Sequence, residues 1–202
     1  ESVVLLENRN QILPLSKEVG KIAVIGPNAD AVYNQLGDYS PQVKREKCST
    51  VLDGVRSYLG DDVVYARGCG VFDGTKEEQA EAVKLAEQAD ITILVLGGSS
   101  SRFGEVSFDA NGAAISEHGV SMDCGEGVDT ADVALPAVQR ELAEKVFATG
   151  SKVITVIIGG RAYAPEPVSE KSDALLYAFY PGMQGGKAIA EILFGDVNPS
   201  GR

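Results

Sequence analysis

The sequence predicts an α/β protein: a three-layer α/β/α sandwich built on a mostly parallel sheet of five or six strands. Two patterns lead to it. Five short apolar runs recur at residues 22–25 (IAVI), 63–66 (VVYA), 91–96 (ITILVL), 153–158 (VITVII) and 174–179 (ALLYAF), and most are apolar at consecutive positions. Consecutive rather than alternating apolar residues suit strands covered on both faces, as in a parallel sheet. Amphipathic stretches separate the runs, giving the order β-α-β-α-β-α-β-α-β-α. Right-handed crossovers then set helices above and below the sheet.

Taken in order, residues 1–6 (ESVVLL) read like the middle of a helix. The first strand closes at Gly26-Pro27-Asn28. Ser49-Thr50 then caps a helix whose Leu52, Val55 and Leu59 share one face. Thr75-Lys-Glu-Glu78 is a capping box, opening a helix expected to bury Val83, Ala86 and Ala89. Pro136 suits the first turn of a helix carrying Val138, Leu142 and Val146 and ending at Gly150. Ala188, Ile189, Ile192 and Leu193 line a last helix, stopped by Gly195. The 202 residues fit one domain with a full core, so residues 1–202 are read as a single sandwich. No basic region followed by an apolar stretch opens the chain, and Gly201-Arg202 carries no stop signal. The expectation is a piece of a longer protein.

Composition narrows the function classes. A net charge of −11 weighs against nucleic acid or an anionic membrane as partner, since both need basic surface. No apolar run reaches the roughly 18 residues of a membrane span. Cys48, Cys69 and Cys124 are too few and scattered for a disulfide framework and read as free, partly buried thiols. With one histidine and no C-x-x-C pair, no metal site is expected. No cofactor motif is present either: Gly26-Pro27-Asn28 is not G-x-G-x-x-G, and G-x-x-x-x-G-K-[ST] does not occur. Ser99-Ser100-Ser101 follows a strand without the G-x-S-x-G elbow, and a serine triad would need His118 from the same loop.

One segment breaks the rhythm. Residues 97–135 show no helix or strand period, far beyond the usual 2 to 6 residues or so of a βα loop. The segment leaves the carboxyl end of the 91–96 strand, where open α/β sheets place their sites. It holds seven acids (Glu105, Asp109, Glu117, Asp123, Glu126, Asp129, Asp132) against a single Arg102. The bland alternative is a solvated acidic loop. Within it, Gly125-Glu126-Gly127 sets an acid between two glycines, which permit a sharp turn and a presented side chain. Such an acid can protonate a leaving oxygen if its pKa is raised toward working pH. A turn in which Glu126 merely faces water fits those residues equally well.

A resemblance separates these readings. Residues 1–8 (ESVVLLEN) with Ile12-Leu-Pro-Leu15, Lys21-Ile-Ala-Val-Ile-Gly-Pro-Asn-Ala-Asp30, Gln35-Leu-Gly-Asp-Tyr-Ser40, Thr50-Val-Leu-Asp-Gly54, Leu96-Gly-Gly-Ser-Ser-Ser-Arg-Phe103, Tyr180-Pro-Gly-Met-Gln-Gly-Gly186 and Ile192-Leu-Phe-Gly-Asp-Val-Asn-Pro-Ser-Gly-Arg202 are collinear along the chain. Together they resemble the second domain of family 3 glycoside hydrolases, over essentially the whole sequence. The resemblance implies a retaining exo-acting β-glycosidase of β-glucosidase or β-xylosidase type. Its Asp nucleophile would lie on an N-terminal barrel domain of the same protein, and its substrate would be a β-linked oligosaccharide or glycoside. This domain would lend the acid/base loop, which in one branch reads G-E-G-x-D-R and falls on Gly125 to Asp129. Glu126 is therefore the acid/base candidate, with Glu117 and Glu105 behind it. The sequence departs from the pattern at Thr130, where Arg is usual, and at Gly160-Arg161-Ala162, where Gly-Arg-Pro is common. Tyr39, Arg102 and Phe103 are candidates for substrate contact, with local packing as the alternative for each. A non-catalytic carbohydrate-binding or structural module is the reading from another class, and the retained acid at Glu126 argues against it.

Overall fold

The computed structural model describes residues 2–100, 107–108, 114–115, 122–125 and 127–202. Its main sheet has six strands: β1 (Val4–Asn8), β2 (Ile22–Ile25), β3 (Val63–Ala66), β4 (Ile91–Gly97), β7 (Lys152–Ile158) and β8 (Ala174–Phe179). Two short strands, β5 (Ser107–Phe108) and β6 (Ala114–Ile115), pair antiparallel with each other. The order across the main sheet is β1-β8-β7-β4-β2-β3, with every neighbouring pair parallel except β1 and β8. The expected three-layer α/β sandwich is therefore the fold observed.

Alternate residues of each strand feed two cores. Val24, Ile93, Val156 and Leu176 point to one face with α1 (Val51–Leu59) and α5 (Gly185–Leu193). Ala23, Ile25, Leu94, Ile157 and Leu175 point to the other, with α2 (Lys76–Glu87), α3 (Ala137–Phe147) and the single turn α4 (Val168–Lys171). Burial on both sides explains the unbroken apolar runs. Ten of the twelve largest fully buried side chains among the described residues lie on strands, so the sheet is the rigid base on which its end loops stand.

The caps form as the sequence predicts. The Thr50 side chain accepts from the Asp53 N–H and the Asp53 carboxylate accepts from the Thr50 N–H. Thr75 and Glu78 do the same at α2. The buried face of α2 is rotated from expectation: Gln79, Ala82 and Ala86 are enclosed, whereas Val83 and Ala89 are only partly covered. Gln79 is drawn inward because its side-chain oxygen accepts from Lys145 Nζ on α3.

The N-terminal expectation is corrected. Residues 4–8 are not helical; they form the antiparallel edge strand β1, with Val4 opposite Tyr177 and Asn8 opposite Ala174. A short run of consecutive apolar residues fits either a buried helix or a strand, and β-branched Val3 and Val4 favour the strand. The partner that decides it, β8, lies some 170 residues away in sequence. Asn8 then ends the strand, its side chain accepting from the Leu13 N–H and donating to the Leu13 carbonyl.

Candidate functional site

The chain leaves β2 for α1 on one face and leaves β4 for α3 on the other, although β2 and β4 are neighbours. The carboxyl edge between β2 and β4 is therefore the topological switch point of the sheet, the place where open α/β sheets bind ligands. Gly26, just after β2, and Gly97, the last residue of β4, are held at positive φ, +124° and +130°. A Cβ would lie 2.1 Å from the Val95 carbonyl oxygen at the first and 1.9 Å from that of Ile158 at the second. Only glycine satisfies both the dihedral and the approach.

Asn28 ties the strand ends together. Its buried amide donates to the carbonyls of Gly98 and Ile158 at 3.0 Å each. The Asn28 oxygen accepts from Asn34, whose own oxygen accepts from Ser99 Oγ at 2.7 Å. On the other flank, Gln139 of α3 bonds both the N–H and the carbonyl of Gly97. The first residues after β4 are thus held from both sides.

Asp123 brings the far end of the long loop back to this floor. It is 9% exposed. One carboxylate oxygen accepts from the Ser99 N–H at 2.8 Å and the other from the Tyr163 hydroxyl. Its backbone N–H donates to the Ser99 carbonyl at 3.0 Å, and its carbonyl accepts two N–H groups of Arg161, at 2.7 and 3.1 Å. Next along the chain, Cys124 Sγ lies 3.2 Å from the Tyr180 hydroxyl, which also bonds Ser100 Oγ at 2.7 Å. Residues of β4, β7 and β8 ends therefore clamp two consecutive loop residues. The chain then turns: Val128 N–H donates to the Gly125 carbonyl, and Asp38 lies so close to Gly125 that a Cβ there would sit 2.9 Å from its carboxylate.

Burial, together with the adjacent Asp123 carboxylate, pushes the Tyr163 hydroxyl well above the ordinary tyrosine value. Burial and the Cys124 neighbour do the same to Tyr180, and burial raises the Cys124 thiol. All three stay protonated at neutral pH, so Tyr163 remains a donor to Asp123. The three cysteines are free and buried. Among the described residues, no group of three or more His, Cys, Asp or Glu could hold a metal ion.

Of the residues singled out from the sequence, Glu126 lies outside the described residues, as do Arg102, Phe103, Glu105 and Glu117. Its neighbours Gly125 and Gly127 are described, with φ of +124° and +75°. Tyr39 is 83% exposed and follows Asp38, on the stretch that borders Gly125. Thr130, which stands where Arg is usual in the family pattern, bonds locally among the described residues, its N–H to Asp129 and its hydroxyl to the Asp132 carbonyl. Arg161, beside Ala162 where Pro is common, is the anchor of Asp123. The sequence alone gives no site role to Asn28, Asp123, Tyr163 or Tyr180. Asn28 and Tyr180 carry a local signal, their position just after β2 and β8, whereas Asp123 and Tyr163 carry none.

Residues 3–202 match the model of the glycosyl hydrolase family 3 C-terminal domain. The chain belongs to that family. A β-xylosidase of Formosa agariphila is 36% identical over 100% of this chain, and a periplasmic β-glucosidase of Salmonella typhimurium is 34% identical over the same share. This family 3 domain spans 26% of each of those proteins. Among solved structures, a β-glucosidase from Listeria innocua in complex with isofagomine superposes with a TM-score of 0.80, at 28% identity, over 98% of this chain and 24% of its own. A family 3 exo-β-xylosidase bound to a xylobiose aziridine probe gives the same TM-score and identity over 99% of this chain and 23% of its own.

Proposed function

We propose that this family 3 domain serves a retaining, exo-acting β-glycosidase of β-glucosidase or β-xylosidase type, and that Glu126 is its acid/base. The Asp nucleophile then stands on an N-terminal barrel domain of the same protein. What supports the reading is the clamp on Asp123 and Cys124, which fixes the residues just before Gly125 at the carboxyl edge of the sheet. A general acid has to be held close to the bond it protonates, and a turn on a rigid stem can do that.

In the mechanism, Glu126 gives its proton to the departing glycosidic oxygen while the barrel's Asp attacks the anomeric carbon. Glu126, now a carboxylate, takes a proton from the water that releases the sugar, with retention. The two carboxyls must stand about 5 to 5.5 Å apart, so the loop has to meet the barrel. Tyr39 offers an exposed ring to a sugar face, and Arg102 and Phe103, early in the loop, are assigned to the same substrate.

Glu126→Ala in the full-length protein tests the assignment. With a nitrophenyl glycoside, glycosylation needs little proton help but deglycosylation still needs the base, so the glycosyl-enzyme accumulates. Azide then restores turnover and yields a β-glycosyl azide. Loss of acid–base help is worth about 10² to 10⁴-fold on substrates with poor leaving groups. Azide rescue at Glu117→Ala or Glu105→Ala, but not at Glu126→Ala, would move the role to that residue. Rescue at none of the three would sink the loop assignment.

A further inference from the structure

We infer that Tyr163, together with Arg161, is a positioning residue for catalysis, acting through Asp123 on the placement of Glu126. The inference rests on the reading of Glu126 as acid/base. Asp123 stands three residues before Glu126, and the five hydrogen bonds described above tie it to Ser99, Arg161 and Tyr163, which follow β4 or β7. Arg161 and Tyr163 supply the β7 share. Tyr163 is itself locked: its N–H donates to the Tyr177 hydroxyl at 3.1 Å, and that hydroxyl donates to the Arg161 carbonyl.

Space is reserved for this pair. A Cβ on Gly98 would fall 1.7 Å from the Tyr163 hydroxyl and 2.1 Å from an Asp123 oxygen, and one on Gly159 would fall 2.7 Å from the Tyr163 ring. An apolar contact could pin a loop at lower desolvation cost than a buried carboxylate. A fully satisfied polar network instead admits one geometry, which is what a proton donor needs.

The test uses the full-length protein and a series of aryl and alkyl β-glycosides spanning leaving-group pKa. Tyr163→Phe should lower kcat/KM about 10- to 100-fold for poor leaving groups, with little loss for nitrophenols. Tyr58→Phe is the matched control, because it removes a tyrosine–carboxylate bond to Asp196 at the far end of α1. It should show no dependence on leaving group. On a Glu126→Ala background, Tyr163→Phe should cost nothing more. Arg161→Ala repeats the comparison should Tyr163→Phe fail to fold. Equal losses for good and poor leaving groups, or losses that add to those of Glu126→Ala, overturn the inference and leave the acid/base assignment standing. If Glu126→Ala itself shows neither leaving-group dependence nor azide rescue, the assignment falls and this inference with it.

Discussion

Single residues at the strand ends set how closely the loops can cross. At Gly97, Ala would meet both a dihedral that L-residues avoid and the Ile158 carbonyl 1.9 Å away. Each of these costs about 1 to 3 kcal/mol, so Gly97→Ala should lose roughly 2 to 5 kcal/mol in urea unfolding. A loss below about 1 kcal/mol would mean the β4 end yields easily, and the floor of the site is not rigid. The same floor shows what a sequence reading can miss. Glu126 stands out because two glycines flank it, a local signal. Asp123 is one acid among seven in its loop, and nothing within the loop separates it from Asp129 or Asp132. Its role depends on Ser99, Arg161 and Tyr163, which reach it only in the folded molecule.

Among the elements, the helices are the most legible because their signals lie within one turn. Thr75 and Glu78, three residues apart, close the box that the sequence predicts, and Thr75→Ala should cost about 1 kcal/mol of stability by thermal or urea unfolding. The cap of α1 adds a pH dependence. Burial acts to raise the Asp53 carboxyl, but hydrogen bonds from the Thr50 N–H and the Arg45 guanidinium outweigh it and hold the carboxyl below the ordinary value. A carboxyl depressed in the folded state adds stability above its unfolded pKa, about 3.9, and that share is lost as pH falls through the folded pKa. Asp53→Asn should therefore lower the melting temperature at pH 6 more than at pH 2.5. Because the Asp53 side chain is 36% exposed and partly screened by solvent, the difference should stay under about 1 kcal/mol. An equal drop at both pH values would show that the cap works without its charge. The strand β1 is the opposite case: its residues carry a pattern shared by helix and strand, and only the pairing with β8 resolves it.

For the whole molecule, a complete six-stranded sheet covered by helices on both faces is expected to fold without its neighbours. The nucleophile is assigned to another domain, so the isolated chain should unfold cooperatively yet leave aryl β-glucosides and β-xylosides intact. Turnover above a matched blank by the pure chain would overturn the need for the barrel. The sequence by itself determined the fold class, the alternation of strands and helices apart from β1 and the β5–β6 pair, the caps of α1 and α2, and the family. Apolar period, capping residues and collinear motifs are each written in short stretches of chain, and so survive being read one window at a time. The tertiary structure alone decided that the N-terminal residues form an edge strand, that the sheet's switch point falls between β2 and β4, and that Asp123 is tied to the ends of β4 and β7. Those outcomes depend on which residues face one another across the sheet, and strand pairing and buried hydrogen bonds join positions 24 to about 170 residues apart.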